Sequence, residues 1–397
     1  MTRPKVLVPL AGITLGLALA FLVLRLIPRS SPVPPVSQRI DGELLSEDQG
    51  ALAEVLLHYV PELEAFVAEA YRDFLHALPV DTTLLVVVPR VEPPKKSAVD
   101  AFRDFLAGID RSLVSRTRFV EVPGPISVWS KDRALVASSR RSARTALLVP
   151  TPPDPRWIER SNDWRTLRFV AQAFPDRYYV RELPLAFDAG DFAVTAGRIL
   201  VDPNLLARNA SKLDSTEALA RVLRELFAAS VDVVGEVEGD VPRHHMSMYM
   251  TPLGTIDGTP VALVGDARRG RAVVGGEYVP GEVNPDTGEP LRADFSEATV
   301  ARFDRAAEAL ARLGFRVVRV PTIPFDDKTY VAYTNGVYEV RDGKRTAWIP
   351  SYGIARLDDE ARGVYEALGW TVSPVRVKSV YAFHGTIGCL VNVLRRR

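Results

Sequence analysis

Tyr381-Ala-Phe-His384-Gly385-Thr386-Ile387-Gly388-Cys389-Leu-Val-Asn-Val-Leu394 stands almost at the end of the chain, and Cys389 is the one cysteine in 397 residues. It follows a Gly-x-x-Gly turn and opens a run of apolar, strand-forming residues. Glycines carry no Cβ, so a ligand could come close to a thiol placed just after them. A lone cysteine is also commonly a small buried hydrophobe. Which of the two it is depends on what the rest of the chain sets beside it.

Upstream of this stretch a pattern recurs from Thr82 onward: an amphipathic helix, a β-rich strand, a polar position, then another strand. The first unit runs from a helix over Ala101–Leu113 through Phe119-Val-Glu-Val to Val128-Trp129-Ser130-Lys131-Asp132. The second runs from a helix over Trp157–Phe174 to Phe187-Asp188-Ala189-Gly190-Asp191-Phe192, and the third from Thr216–Ala229 to His244-His245-Met246-Ser247-Met248. The fourth helix begins at Thr299 and stops at Gly314, and its unit ends at Asn335. The fifth helix covers Asp359–Leu368, stops at Gly369 and leads to Cys389. Both glycines fall where a helix C-cap belongs.

The intervals support the repeat. Asp132 to Asp188 is 56 residues, Asp188 to His245 is 57, and Asn335 to Cys389 is 54. The longer step from His245 to Asn335 contains Gly265 to Glu297, rich in Gly, Pro, Arg and Asp, which reads as one inserted loop. Units arranged in a ring would aim two carboxylates, an imidazole and a thiol at a common axis.

Composition bounds the alternatives. With 47% hydrophobic and 25% charged residues and a formal net charge of +1, neither disorder nor a nucleic-acid-coating surface fits. One cysteine excludes an intramolecular disulfide framework and a cysteine-based zinc site. The five histidines lack metal-ligand spacing. In a strand His244 and His245 would point to opposite faces, with His244 turned away.

Val6 to Leu24 is apolar and uncharged, flanked by Arg3 and Lys5 before it and Arg25 and Arg29 after it. As a helix it would reach about 28 Å, enough for a bilayer core. Residues 1–29 are therefore expected to be a membrane anchor, with a cleaved signal sequence ending near Ala18-Leu-Ala20 as the rival. An N-in orientation would leave the globular part outside the cytoplasm. Residues 30–40 read as a Pro/Ser-rich spacer. Residues 41–79 read as a helical extension, with Ser46 and Gln49 as a capping box, Pro61 at a helix start, and an apolar stripe of Leu56, Leu57, Val60, Leu63 and Phe66. The main domain is then expected over 80–397.

A thiolate activated by a base, a proton-transferring imidazole and acceptor-only carboxylates suit attack on a guanidinium carbon. The same segments resemble those of the pentein superfamily of guanidino-modifying enzymes, which includes arginine and agmatine deiminases, dimethylarginine dimethylaminohydrolase and arginine:glycine amidinotransferases. Trp129-Ser-Lys-Asp132 is similar to that family's aromatic-x-Arg-Asp segment, and Phe187-Asp188-Ala-Gly-Asp191-Phe192 to its acidic segment. The stretch from His245 is similar to the His-x-Asp segment, and Gly385-Thr-Ile-Gly-Cys389 to the glycine-rich segment ending in the nucleophile. The resemblance implies a fivefold pseudosymmetric α/β propeller without metal or organic cofactor. It implies Cys389 as nucleophile, His245 as acid/base and Asp188 as the acid supporting it. It makes Asp132 a guanidinium-binding acid, with Asp191 either joining the substrate acids or capping a turn. Trp129 and Ser247 would line the pocket, and Asn335 is assigned to structure.

Three positions depart from the family pattern. Ser247 stands where many members carry an aspartate, Gly388 where several carry histidine, and Lys131 where arginine is usual. The expected activity is therefore an amidinohydrolase or amidinotransferase acting on a small guanidino compound. The alternatives are a catalytically degenerate binding or scaffold protein of the same fold and a metal-dependent hydrolase using His244 and His245.

Overall fold

The structure, a computed structural model, describes residues 39–92, 96–139, 143–151, 162–195 and 197–397. The anchor expected over 1–29 lies outside these residues, as does nearly all of the spacer. Among the described residues no helix is long and apolar enough to cross a membrane.

The described strands form five sheets built on one scheme. A first strand runs antiparallel to a second, and a third, reached through a helix, runs parallel to the second. Leu135–Ser138, Thr145–Val149 and Tyr178–Glu182 make one such set. Ala193–Thr195, Arg198–Val201 and Ser230–Val233 make the next. Met250–Ile256, Thr259–Asp266 and Arg316–Pro324 follow, then Val337–Arg341, Lys344–Ser351 and Trp370–Arg376. In the fifth sheet the first strand is the C-terminal Val391–Arg396. It lies antiparallel to Leu52–His58, which is parallel to Thr83–Pro89. The expected repeat is present as these five sets. The expected glycine stops also hold: Gly314 and Gly369 follow helices Glu297–Arg312 and Ala355–Ala367 in the left-handed region, at φ 87° and 79°.

Residues 41–79 do not form a helical extension. Leu52–His58 is a strand in the middle of the fifth sheet with all seven residues buried, and only Glu64–His76, after a 3-10 turn at Pro61–Leu63, is an α-helix. A strand covered on both faces loses its polar–apolar alternation, so Leu56, Leu57 and Val60 could be mistaken for a helical stripe. The pairing partner that makes it a strand lies some 340 residues away, at the other end of the chain. Glu54, inside this strand, stays buried because Arg177 reaches its carboxylate at 2.6 Å and the Tyr178 hydroxyl donates to it. A domain boundary at 80 would cut this sheet in two.

Two further expectations change. The helix expected to open the first unit, found at Ala98–Ile109, is an extra crossover in the fifth sheet leading to Thr117–Val122. The stretch Gly265–Glu297 is not one loop, because Ala267–Val274 is helical and Gly270 lies against the backbone of Thr322, where an added Cβ would come within 2.0 Å of its carbonyl oxygen.

Leu394 is fully buried in a cluster with Leu56, Leu85, Val136 and Leu147, where the C-terminal strand meets two sheets. Leu394→Ala should cost about 2–5 kcal/mol, the range for emptying a well-packed leucine site. Urea denaturation of the variant against wild type measures the difference.

Candidate active site

Each expected site residue stands in the turn just before the first strand of a sheet: Asp132 before Leu135–Ser138, Asp188 before Ala193–Thr195, and His245 before Met250–Ile256. Asn335 precedes Val337–Arg341 and Cys389 precedes Val391–Arg396. These turns are buried, so their backbone groups must bond to one another. Lys131 N donates to Cys389 O at 3.2 Å and Ala189 N to Asp132 O at 2.7 Å. Thr334 Oγ1 donates to Ser247 O at 2.9 Å, and Gly388 N to Asn335 O at 3.3 Å. Gly190 completes the circuit by packing against His245, whose ring would lie 2.4 Å from an added Cβ.

Inside this circuit Cys389, His245 and Asp188 form a line. Cys389 Sγ lies 3.9 Å from His245 Nδ1, and His245 Nε2 lies 3.4 Å from Asp188 Oδ2. Asp132, His245 and Cys389 offer ligand atoms that all lie within 4.8 Å of one another. All four residues are buried. Among the described residues, His244 is not part of that set.

Cys389 sits in a single helical turn, Ile387–Leu390, and the strand begins only at Val391. The two glycines before it serve the protein's own side chains rather than leaving room for a ligand. A Cβ at Gly385 would fall 2.5 Å from the Trp129 ring, and one at Gly388 would fall 1.9 Å from Asn335 Oδ1. Trp129 is half-buried there and meets Phe66 edge-on at 6.2 Å.

Asp188 is the most heavily engaged acid. Arg133 Nη1 donates to its Oδ1 at 2.7 Å and Arg208 Nη1 to its Oδ2 at 2.9 Å. Burial alone would raise its proton affinity, but Arg208, the His245 bond and Arg133 outweigh it and hold the carboxyl well below the ordinary range. Asp191 caps the turn: its Oδ2 accepts from Asp188 N at 2.8 Å and meets Arg208 Nε at 3.2 Å. Its carboxylate thus serves the turn and Arg208, which favours the capping role over the substrate-binding one. Ser247 is buried in the turn after His245.

His245 is pulled both ways. Burial favours the neutral ring, but the bonds to Asp188 and Cys389 prevail and keep its proton affinity well above the usual value. His244 does not point away from it. Its backbone takes φ 75°, which swings the ring round to stack on His245 at 4.0 Å and 16°. Burial, reinforced by the neighbouring His245, pushes its affinity well below normal, and its Nε2 lies 2.7 Å from His384 O.

Two arginines in this site were not foreseen. Arg133 was one residue from a quoted motif. Arg208 ends the helix Pro203–Arg208 and carried no local signal. Asn335, assigned to structure, contacts Cys389: its Nδ2 lies 3.1 Å from Cys389 Sγ.

No protein-family model matches the chain, and no curated protein matches it in sequence. Solved structures do. Agmatine deiminase from C. jejuni aligns over 89% of this chain and 97% of its own, with 15% identity and a TM-score of 0.60. Agmatine deiminase of Enterococcus faecalis aligns over 91% and 100%, with 15% identity and a TM-score of 0.59.

Asp188→Asn should destabilise the fold by about 3–5 kcal/mol, because Arg133 and Arg208 would lose their shared carboxylate. An acid held below its unfolded value stabilises above that value and loses the contribution as pH falls through the lowered one. The stability gap between wild type and variant, read by urea denaturation, should be full at pH 7 and shrink below about pH 4. The fold in which these residues meet is that of the agmatine deiminases, the pentein fold that the sequence motifs resemble.

Proposed function

We propose that this chain is a guanidino-group hydrolase working through a covalent Cys389 intermediate. The observation that carries the reading is the line Cys389–His245–Asp188, with Asp132 beside the sulfur, assembled from four separate turns. The reading takes the five sheets as wedges of one fivefold α/β propeller, supported by their common strand scheme and the circuit of bonds between their turns.

A protonated His245 beside the sulfur favours a thiolate. Asp132, whose carboxylate lies within 4.8 Å of both the imidazole and the sulfur, suits one edge of a guanidinium. The thiolate attacks the guanidinium carbon and a C–S bond forms. The C–N bond to the leaving amine breaks, and the His245 proton goes to that nitrogen. Neutral His245 then takes a proton from water, which adds to the amidino carbon. The C–S bond breaks and the added hydroxyl gives up its proton to solvent, releasing a ureido product and the thiolate. An amine in place of water would make the reaction an amidino transfer. Asp188, held by two arginines, orients His245 rather than gripping substrate. With two of the three nearby acids committed to Arg133 and Arg208, guanidines carrying a second cationic group fit less well than those carrying a neutral or anionic one.

A second reading, a binding protein of the same fold without catalysis, is favoured by the deep burial of Cys389, 3% exposed, and by Ser247 at a position of acidic residues in many relatives.

The purified full-length protein should convert at least one member of a panel of arginine, methylated arginines, guanidino carboxylates, agmatine and peptidyl-arginine to ureido product or transferred amidine. Agmatine is expected to rank low. Cys389→Ser should lower the rate at least about a thousandfold. No turnover on any member, with a pH-insensitive inert thiol, would establish the second reading instead.

A further inference from the structure

The geometry points to Asn335 as a second hydrogen-bond donor to the reacting sulfur, one that stays in place after His245 has given up its proton; this rests on Cys389 being the nucleophile. Asn335 is 1% exposed. Its Nδ2 lies 3.1 Å from Cys389 Sγ and 2.8 Å from Met248 Sδ. The first distance is shorter than the 3.9 Å from the sulfur to His245 Nδ1.

Chemistry fixes the orientation of the amide. A thiolate and a thioether are both acceptors, so the side facing them must be the NH2, which has one hydrogen for each. The carbonyl oxygen Oδ1 is then directed at Gly388 and has no hydrogen-bond partner. A buried carbonyl without a donor costs about 1–3 kcal/mol, so this arrangement needs an offsetting gain. A bond to a charged sulfur is of the stronger, charge-assisted kind and supplies one.

The rest of the residue is locked to the nucleophile's own turn. Asn335 O accepts from Gly388 N at 3.3 Å and from Thr386 Oγ1 at 2.9 Å. Gly388 makes the fit possible, because any Cβ there would sit 1.9 Å from Asn335 Oδ1. A side chain at 388 and an amide against the sulfur exclude each other.

The two donors differ in one respect. His245 loses its proton to the leaving amine, so it cannot donate to sulfur in the intermediate. An amide N–H does not titrate in this range. Asn335 can therefore stabilise the thiolate in the resting enzyme and again when C–S cleavage expels it.

The test needs no substrate: iodoacetamide alkylation rates of the full-length protein at pH 6.5 and pH 10. Asn335→Ala should react about tenfold more slowly at pH 6.5, the loss of one charge-assisted bond, and near the wild-type rate at pH 10. Asn335→Asp, equal in shape but turning a carboxylate toward the sulfur, should be slower still at pH 6.5, and carries the test should the alanine variant fold poorly. Gly388→Ala, which keeps the amide but drives it away, should reproduce the loss. Wild-type rates in Asn335→Asp at pH 6.5, or an equal loss at both pH values, would reduce Asn335 to a structural role. A wild-type thiol already inert at pH 6.5 would overturn the nucleophile assignment itself, and this inference with it.

Discussion

The site depends on the need of five buried turns to satisfy their backbone groups against one another. Water cannot do it where they meet, so Lys131 N reaches Cys389 O, Ala189 N reaches Asp132 O, and Gly388 N reaches Asn335 O. Side chains reinforce the same junctions. Ser130 Oγ spans the carbonyls of Leu56 and Leu390, and Asn392 Nδ2 reaches those of Ser130 and Ala134. The geometry of the thiol, imidazole and carboxylates follows from this mesh rather than from any one element. A displacement in one turn must be taken up by its two neighbours.

What could be read from the sequence was what has a local cause. Helix periodicity with a glycine stop is local, and Gly314 and Gly369 sit where expected. The recurring interval between polar positions is readable as a repeat, and Asp132, Asp188, His245, Asn335 and Cys389 do meet at one place. What escaped was set by distant partners. Leu52–His58 is a strand because Val391–Arg396 pairs with it, and nothing within the seven residues says so. The glycines before Cys389 looked like space for a ligand, whereas Trp129 and Asn335 fill that space from other units. Arg208 enters from a short helix whose sequence has no feature of a site.

The double histidine shows how backbone strain is used here. In an extended segment the rings would point apart. The left-handed conformation at His244, which costs a non-glycine residue about 1–3 kcal/mol, stacks them instead. Two stacked imidazoles cannot both carry a proton at low cost. Burial and the neighbouring His245 hold the proton affinity of His244 well below normal, against its contact with His384 O, while that of His245 is held well above. His244 covers one face of the His245 ring, and the ring edges meet Cys389 and Asp188.

The doubled arginine clamp on Asp188 then acquires a reason beyond neutralising charge. A buried carboxylate that both supported His245 and gripped substrate would change the imidazole's proton affinity each time a guanidinium arrived or left. Arg133 and Arg208 are the protein's own guanidiniums, and they occupy both oxygens of Asp188. The contribution of Asp188 to the proton affinity of His245 is thereby set by the protein's own arginines. This division of labour also bears on Ser247. A fourth acid at that position, beside Asp132, Asp188 and Asp191, would add a buried charge at a cost of several kcal/mol unless a cation filled it. A hydroxyl is the residue type that such a balance tolerates.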